Sequence, residues 1–280
     1  MNRKKLKERL IKGMIYLILA LALVITFLPV GWVFSTSVKT GAEIFARPPK
    51  WIPHTPTLAN YKDVLFGSSL PNAFKNSFLV GIMTSFAALL LGGSAGYAFA
   101  RFKFRGNRAL SLFMLVSQML PLTVLMIPMY YMENAVGIVD TKTGLAAAHL
   151  VISLPLVTWM AKGYFKGIPK EIEEAAIVDG CSTMQVLTRI LLPLLKPALA
   201  ATGIYAFISS WNEFALANVL TRSPQSITVP IALNEFSSFF KVDWGDTMAA
   251  AMLITLPIAG AFMLVQKQFV EGLASGAVKG

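Results

Sequence analysis

Acidic side chains are scarce in this chain: 14 Asp and Glu stand against 25 Lys and Arg, and charged residues of both signs make up only 14%. A soluble domain carries roughly a quarter charged residues, so the composition argues against an ordinary water-soluble protein. Cysteine is nearly absent as well, and with Cys181 alone no internal disulfide can form. The two histidines, His54 and His149, have no metal-ligating neighbour at useful spacing, so no metal site is expected. A Walker phosphate loop, a catalytic-triad pattern and a cofactor fingerprint are all missing, so no catalytic residue is expected either. The net charge of +11 would suit nucleic acid only if it covered one face of a folded domain. Here the basic residues fall in short segments between long apolar runs.

Those runs are what the chain has in quantity. Hydrophobic residues make up 55% of it, and uncharged stretches cover 13–38, 76–100, 109–132, 143–161 and 247–266. Each is long enough to cross a hydrocarbon core of about 30 Å. A sixth stretch, 197–220, is interrupted only by Glu213. The fold class expected is therefore an all-α membrane protein with six transmembrane helices and little chain left for a soluble domain. Counting alternately from the N-terminus, seventeen of the 25 basic residues lie on the side that holds both termini and the 165–196 loop. The positive-inside rule makes that side cytoplasmic. The first apolar run is too long for a signal-peptide core and has no small-residue cleavage site before Lys39, so it is predicted to be retained.

The loop from Gly167 to Pro197 is the longest polar stretch on the predicted cytoplasmic side. Pro169 suits a helix start, where its missing N–H costs nothing, and Glu171, Glu173 and Glu174 favour the positive end of the helix dipole. Ile172, Ala175, Ala176 and Val178 give a small apolar surface. Gly180 stands where a left-handed residue would end the helix. Ser182 and Gln185 form a capping box for a second helix, expected to be short because Pro193 and Pro197 limit it. Two short helices hinged at a glycine, outside the bilayer, make a docking element.

Within that stretch Glu174, Ala175, Ala176, Gly180, Ile190, Leu192 and Pro193 match the E-A-A-x3-G-x9-I-x-L-P loop of ABC importer permeases without a gap. A chance match at seven fixed positions is on the order of 10⁻⁸ per starting point. The Gly-Tyr-Ala-x-Ala-Arg segment ending at Arg101, the Trp-Asn-Glu-Phe cluster at 211–214 and the Gly-Leu-x-x-Gly-x-x-Lys-Gly ending at Gly280 are similar to the sugar-importer subgroup. The chain thus resembles the smaller permease subunit of carbohydrate-uptake, maltose-type ABC importers. The resemblance implies the type I ABC importer permease architecture in the bacterial cytoplasmic membrane. It also implies a heterodimer with a second permease, two ATP-binding subunits that hold the ATP and magnesium, and an extracellular sugar-binding protein. The seven motif residues then become the contact with the ATPase. The expected division is 1–72 (first helix and outside loop), 73–267 (transporter core with the 165–196 loop) and 268–280 (cytoplasmic tail).

Other residues carry open readings. Gly92, Gly96 and Ala100 share a helical face that lets a neighbouring helix approach closely. Pro121 and Pro128 in the third span, Pro155 in the fourth and Pro257 in the sixth are candidate bends, and Gln118 either satisfies a freed carbonyl or lines the pathway. An ionisable residue in a span should face protein or water, so Asn212 and Glu213 are candidate pathway residues, with a structural role as the alternative. Trp211 and Phe214 suit a membrane interface, while Trp51, Tyr61 and Phe66 in the proline-rich 39–72 segment suit either a membrane interface or a partner-facing position. The aromatics of 221–245, including Phe236, Phe239, Phe240 and Trp244, suggest a contact surface, and 269–280 is expected to be flexible by composition. The same machine carrying a polyamine or phosphate is one alternative function. A self-sufficient carrier or channel is another, and it would need a coupling-ion site near the midplane, for which Glu213 alone qualifies.

Overall fold

Every regular element in the computed structural model, which describes residues 3–236 and 242–277, is helical. The chain divides into two units, Met1–Ser68 with Glu235–Thr255, and Ser69–Asn234 with Leu256–Gly280. In the first unit, α1 (Arg3–Ser37) carries no charge from Gly13 onward and is exposed through most of that length, as suits a helix whose solvent is lipid. After it come α2 (Gly41–Ile44) and α3 (Ala59–Gly67). Lys39 is buried with its ammonium 4.3 Å from the Trp32 ring centroid and donating to the Lys50 carbonyl at 2.5 Å. Burial pushes its pKa down, against the pull of Glu43. Tyr61, a predicted interface residue, shares a 2.8 Å hydrogen bond with Ser37, and Trp51 packs edge-on to Trp32.

The second unit holds α4 (Leu70–Arg101), α5 (Asn107–Ser117), α6 (Leu122–Ala135), α7 (Lys142–Gly167), α8 (Lys170–Val178), α9 (Thr183–Gln185), a π-helical turn (Val186–Leu191), α10 (Leu192–Trp211), α11 (Ala215–Leu220) and α12 (Val229–Glu235). The last helix, α13 (Trp244–Ala277), runs through both units. Helices α4 and α7 form the closest pair, and α10 lies against both. The small-residue stripe explains the approach: a Cβ on Gly96 would sit 2.6 Å from Ala161 Cβ and 2.8 Å from the Lys162 backbone nitrogen, and one on Gly92 would sit 2.7 Å from Val157.

Five helices are long and apolar enough to cross a membrane among the described residues, and α5 and α6 make a sixth if the bent pair counts as one span. That third run is not one rod: the two helices meet at 102°. Pro121 has no N–H to continue α5 and disfavours helix in the residue before it, so the chain turns where the sequence predicted only a bend. Three further expectations need correction. The second helix of the 167–197 loop is not short, since Thr183–Trp211 is one continuous span; the π turn shifts the hydrogen-bond register ahead of Pro193, and neighbouring packing tolerates Pro197 inside α10. Trp211 is not interfacial but 1% exposed, stacked on Phe207 at 5.6 Å. Residues 269–277 continue α13 rather than forming a flexible tail, because Leu, Ala, Glu and Val favour or tolerate helix and two glycines do not outweigh them. Phe239 and Phe240 lie outside the described residues, as do 278–280.

Candidate functional site

The 167–197 loop is built as a surface element on a buried root. Pro169 precedes α8 with an extended ψ of 138°. The helix ends in a Schellman motif: Gly180 N–H donates to the Ile177 carbonyl and Cys181 N–H to that of Ala176, each at 3.0 Å. Gly180 has φ +87°, the left-handed region in which a side chain is strained although space there is open. Ser182 then caps the next helix in a complete capping box with Gln185.

The matched residues divide by face. Ala176 is buried with Tyr97, Ala161, Phe165, Val186, Leu191 and Leu195, and Ile190 and Leu192 pack against that cluster. Glu174, Ala175, Gly180 and Pro193 face outward and are exposed. Beside them Ile177, Val178 and Met184 are 54%, 86% and 66% exposed. An apolar patch edged by carboxylates on a pinned helix suits a protein partner more than water.

The pin is a contact that sequence reading missed. Glu173 pairs with Arg101 at the end of α4, with side chains 12% and 8% exposed, and Arg101 also donates to the Ile168 carbonyl at 2.9 Å. Glu173 had served in the sequence only as a dipole partner. Nothing in the spacing joins it to a residue 72 positions away.

A second polar cluster ties α7 to the break between α10 and α11. His149 Nδ1 lies 2.7 Å from Ser210 Oγ, and its Nε2 lies 3.2 Å from Glu213 Oε2 without hydrogen-bond alignment. Glu213 accepts from Leu216 N at 2.9 Å and Ala217 N at 3.0 Å, so its carboxylate caps α11. The order Ser–His–Glu resembles a catalytic relay, but Ser210 is 5% exposed and His149 2%, which leaves a substrate no approach. Asn212 is exposed at the end of α10. Gln118, at the α5–α6 break, donates to the Ile152 carbonyl of α7 at 2.9 Å.

A third device clamps two connections together. Asp140 has φ +61° and accepts from Arg222 N at 2.7 Å, Ser223 N at 3.0 Å and the Ser226 hydroxyl. Burial raises its pKa, but these hydrogen bonds outweigh burial and bring it down to about 2. Asn76 holds the same loop by donating to the Ile227 carbonyl at 2.8 Å.

With this geometry in view, comparison with known proteins is direct. The profile of the family described as binding-protein-dependent transport system inner membrane component matches residues 88–274. The trehalose transport system permease protein SugB of Mycobacterium tuberculosis is 37% identical over 255 residues, covering 90% of this chain and 92% of that protein. The trehalose/maltose transport system permease protein MalG of Thermococcus litoralis is 31% identical over 279 residues, covering 98% of this chain and all of that protein. Among solved structures, a chain of a bacterial ABC transporter involved in the import of the acidic polysaccharide alginate superposes with a TM-score of 0.79. It is 22% identical and covers 93% of this chain and 97% of its own.

Proposed function

Because the chain belongs to the binding-protein-dependent transport system inner membrane component family, we propose that it is one of two permease subunits of an ABC importer for a sugar or oligosaccharide. It is a multi-pass membrane protein and a transport subunit. The sugar assignment is supported by the relatives named above, both described as sugar permeases. In this reading the partners are a second, different permease, two ATP-binding subunits that hold ATP and magnesium, and an extracellular binding protein that delivers solute. The protein lies in the bacterial cytoplasmic membrane with both termini and the 167–197 loop in the cytoplasm.

The observation that carries the reading is the outward patch of α8 and its neighbours, rigidly rooted through Ala176, Glu173 and the Gly180 turn. A helix docked in an ATPase moves with it. The buried root passes that motion to α4 and α7, and through the continuous 183–211 helix to α10. Glu174, Ala175 and Pro193 then contact the ATPase, while Ala176, Ile190 and Leu192 transmit and Gly180 sets the angle. A carrier with its own coupling ion is less well supported, since the Glu213 carboxylate is already engaged by two amide N–H groups.

The test is ATP hydrolysis by the purified complex in lipid, with and without the sugar-loaded binding protein. Gly180→Leu, which strains the left-handed turn by about 1–2 kcal/mol, and Glu174→Lys should both insert and pair with the second permease. Both should lose stimulation by the binding protein and much of the transport. Normal stimulation with full ATPase retention in both variants would sink the coupling role.

A further inference from the structure

Five basic residues, Arg101, Lys103, Arg108, Lys166 and Lys170, line one open cavity of about 620 Å³ where α4 and α7 end and α5 begins. Arg101 is already engaged by Glu173 and the Ile168 carbonyl. The other four are exposed and have no acidic partner among the described residues. Concentrating like charges in one concavity is unfavourable unless an anion joins them.

The walls are fixed before any ligand arrives. Asn107 donates to the Phe102 carbonyl at 2.8 Å, Phe99 stacks on Phe104 with ring centroids 6.1 Å apart, and Gly106 turns the chain with φ +91°. Gly106 also brings no side chain to cap α5, an eleven-residue helix whose first turn lines the cavity. Its amide groups add to the positive potential.

We propose that this cavity binds the headgroup of an anionic phospholipid. The cavity is at the end of α4 and α7, two helices long and apolar enough to cross a membrane, where a lipid headgroup rather than an acyl chain would meet it. Phe102 and Phe104 beside it are 51% and 42% exposed, apolar surface that acyl chains would cover. Basic pockets between transmembrane helices select such headgroups by charge. A free phosphate offers the same anion without chains to use the flanking aromatics.

The experiment uses the full chain, purified with the subunits that accompany it and delipidated. Phosphatidylglycerol or phosphatidylcholine is then added back, and retained lipid is counted by native mass spectrometry. Wild type should retain phosphatidylglycerol in preference. The pairs Lys103→Gln with Arg108→Gln, and Lys166→Gln with Lys170→Gln, should each lower that retention about tenfold or more. Should a pair fail to fold, single Lys103→Gln and wild-type melting with each lipid decide instead, with stabilisation by phosphatidylglycerol alone expected. Retention unchanged by the substitutions, or no preference between lipids, overturns the proposal. Inorganic phosphate stabilising the complex as strongly as phosphatidylglycerol overturns the lipid assignment. Variants that shed ATP-binding subunits while retaining lipid normally identify the cavity as a protein-docking site and overturn it as well.

Discussion

Two acidic residues illustrate how little a side chain's identity says until its partners are known. Asp140 looks like an ordinary loop carboxylate, yet it occupies left-handed backbone and takes three donors from the 222–226 segment. Its folded pKa, about 2, is below the ordinary 3.8. The stability it contributes is therefore fully present above about pH 4 and is lost as pH falls through about 2. Asp140→Asn keeps a residue that tolerates the left-handed region and removes the charge. Discounted for solvent screening, the loss at neutral pH should be about 1 kcal/mol, read as a lower melting temperature in detergent at pH 7 that converges on wild type in strong acid. An equal deficit at both pH values would refute a charge-based clamp. Glu213 was read from the sequence as pathway or structure, and its carboxylate caps α11 and faces His149. If the cap is its whole task, Glu213→Gln, which keeps one carbonyl acceptor, should transport near normally, whereas Glu213→Ala should lose about 0.5–2 kcal/mol of stability and melt at a lower temperature. Transport abolished in the glutamine variant with normal melting would instead give Glu213 a place in the pathway.

At the level of helices, close approach is set by what is missing from the side chain. Gly96 faces backbone atoms of α7 at distances a Cβ cannot occupy, while Gly93 on the same helix has nothing within 4 Å. Gly96→Ala should therefore force α4 and α7 apart and cost about 1–3 kcal/mol. Gly93→Ala should be neutral or slightly stabilising, so equal melting of the two variants would refute the packing argument. This stripe was legible because a three- or four-residue repeat fixes a helix face without tertiary information. The Gly180 turn and the Ser182–Gln185 box were legible for the same reason: both are local hydrogen-bond motifs. The length of the helix after them was not. Proline reports a missing donor, and whether that ends a helix depends on a π turn and on neighbours distant in sequence. Pro121 and Pro197 carry the same local signal, yet one accompanies a 102° turn and the other is inside α10. The Arg101–Glu173 and His149–Ser210 contacts join separate helices, so no local pattern announces them.

On the scale of the whole molecule, apolar run length identified the crossings because the bilayer sets a minimum span. Sidedness rests on a different quantity, the unequal distribution of Lys and Arg between alternate connections. It is tested by reaching one residue from each side. Val178, 86% exposed on the outer face of α8, lies on the side predicted to be cytoplasmic. Gln225, exposed in the connection between α11 and α12, lies on the opposite side by the same count. In a Cys181→Ser background, which removes the sole native thiol, each is replaced in turn by cysteine and exposed to a membrane-impermeant maleimide. Gln225→Cys should label in intact cells. Val178→Cys should label only in inside-out vesicles, and more fully once the ATP-binding subunits are stripped away. Labelling of both from one side would require an odd number of crossings less or more between them and would remove the six-crossing arrangement. Labelling of each from the side opposite to its prediction would keep six crossings but invert the protein, placing the α8 patch where no ATP-binding subunit could dock.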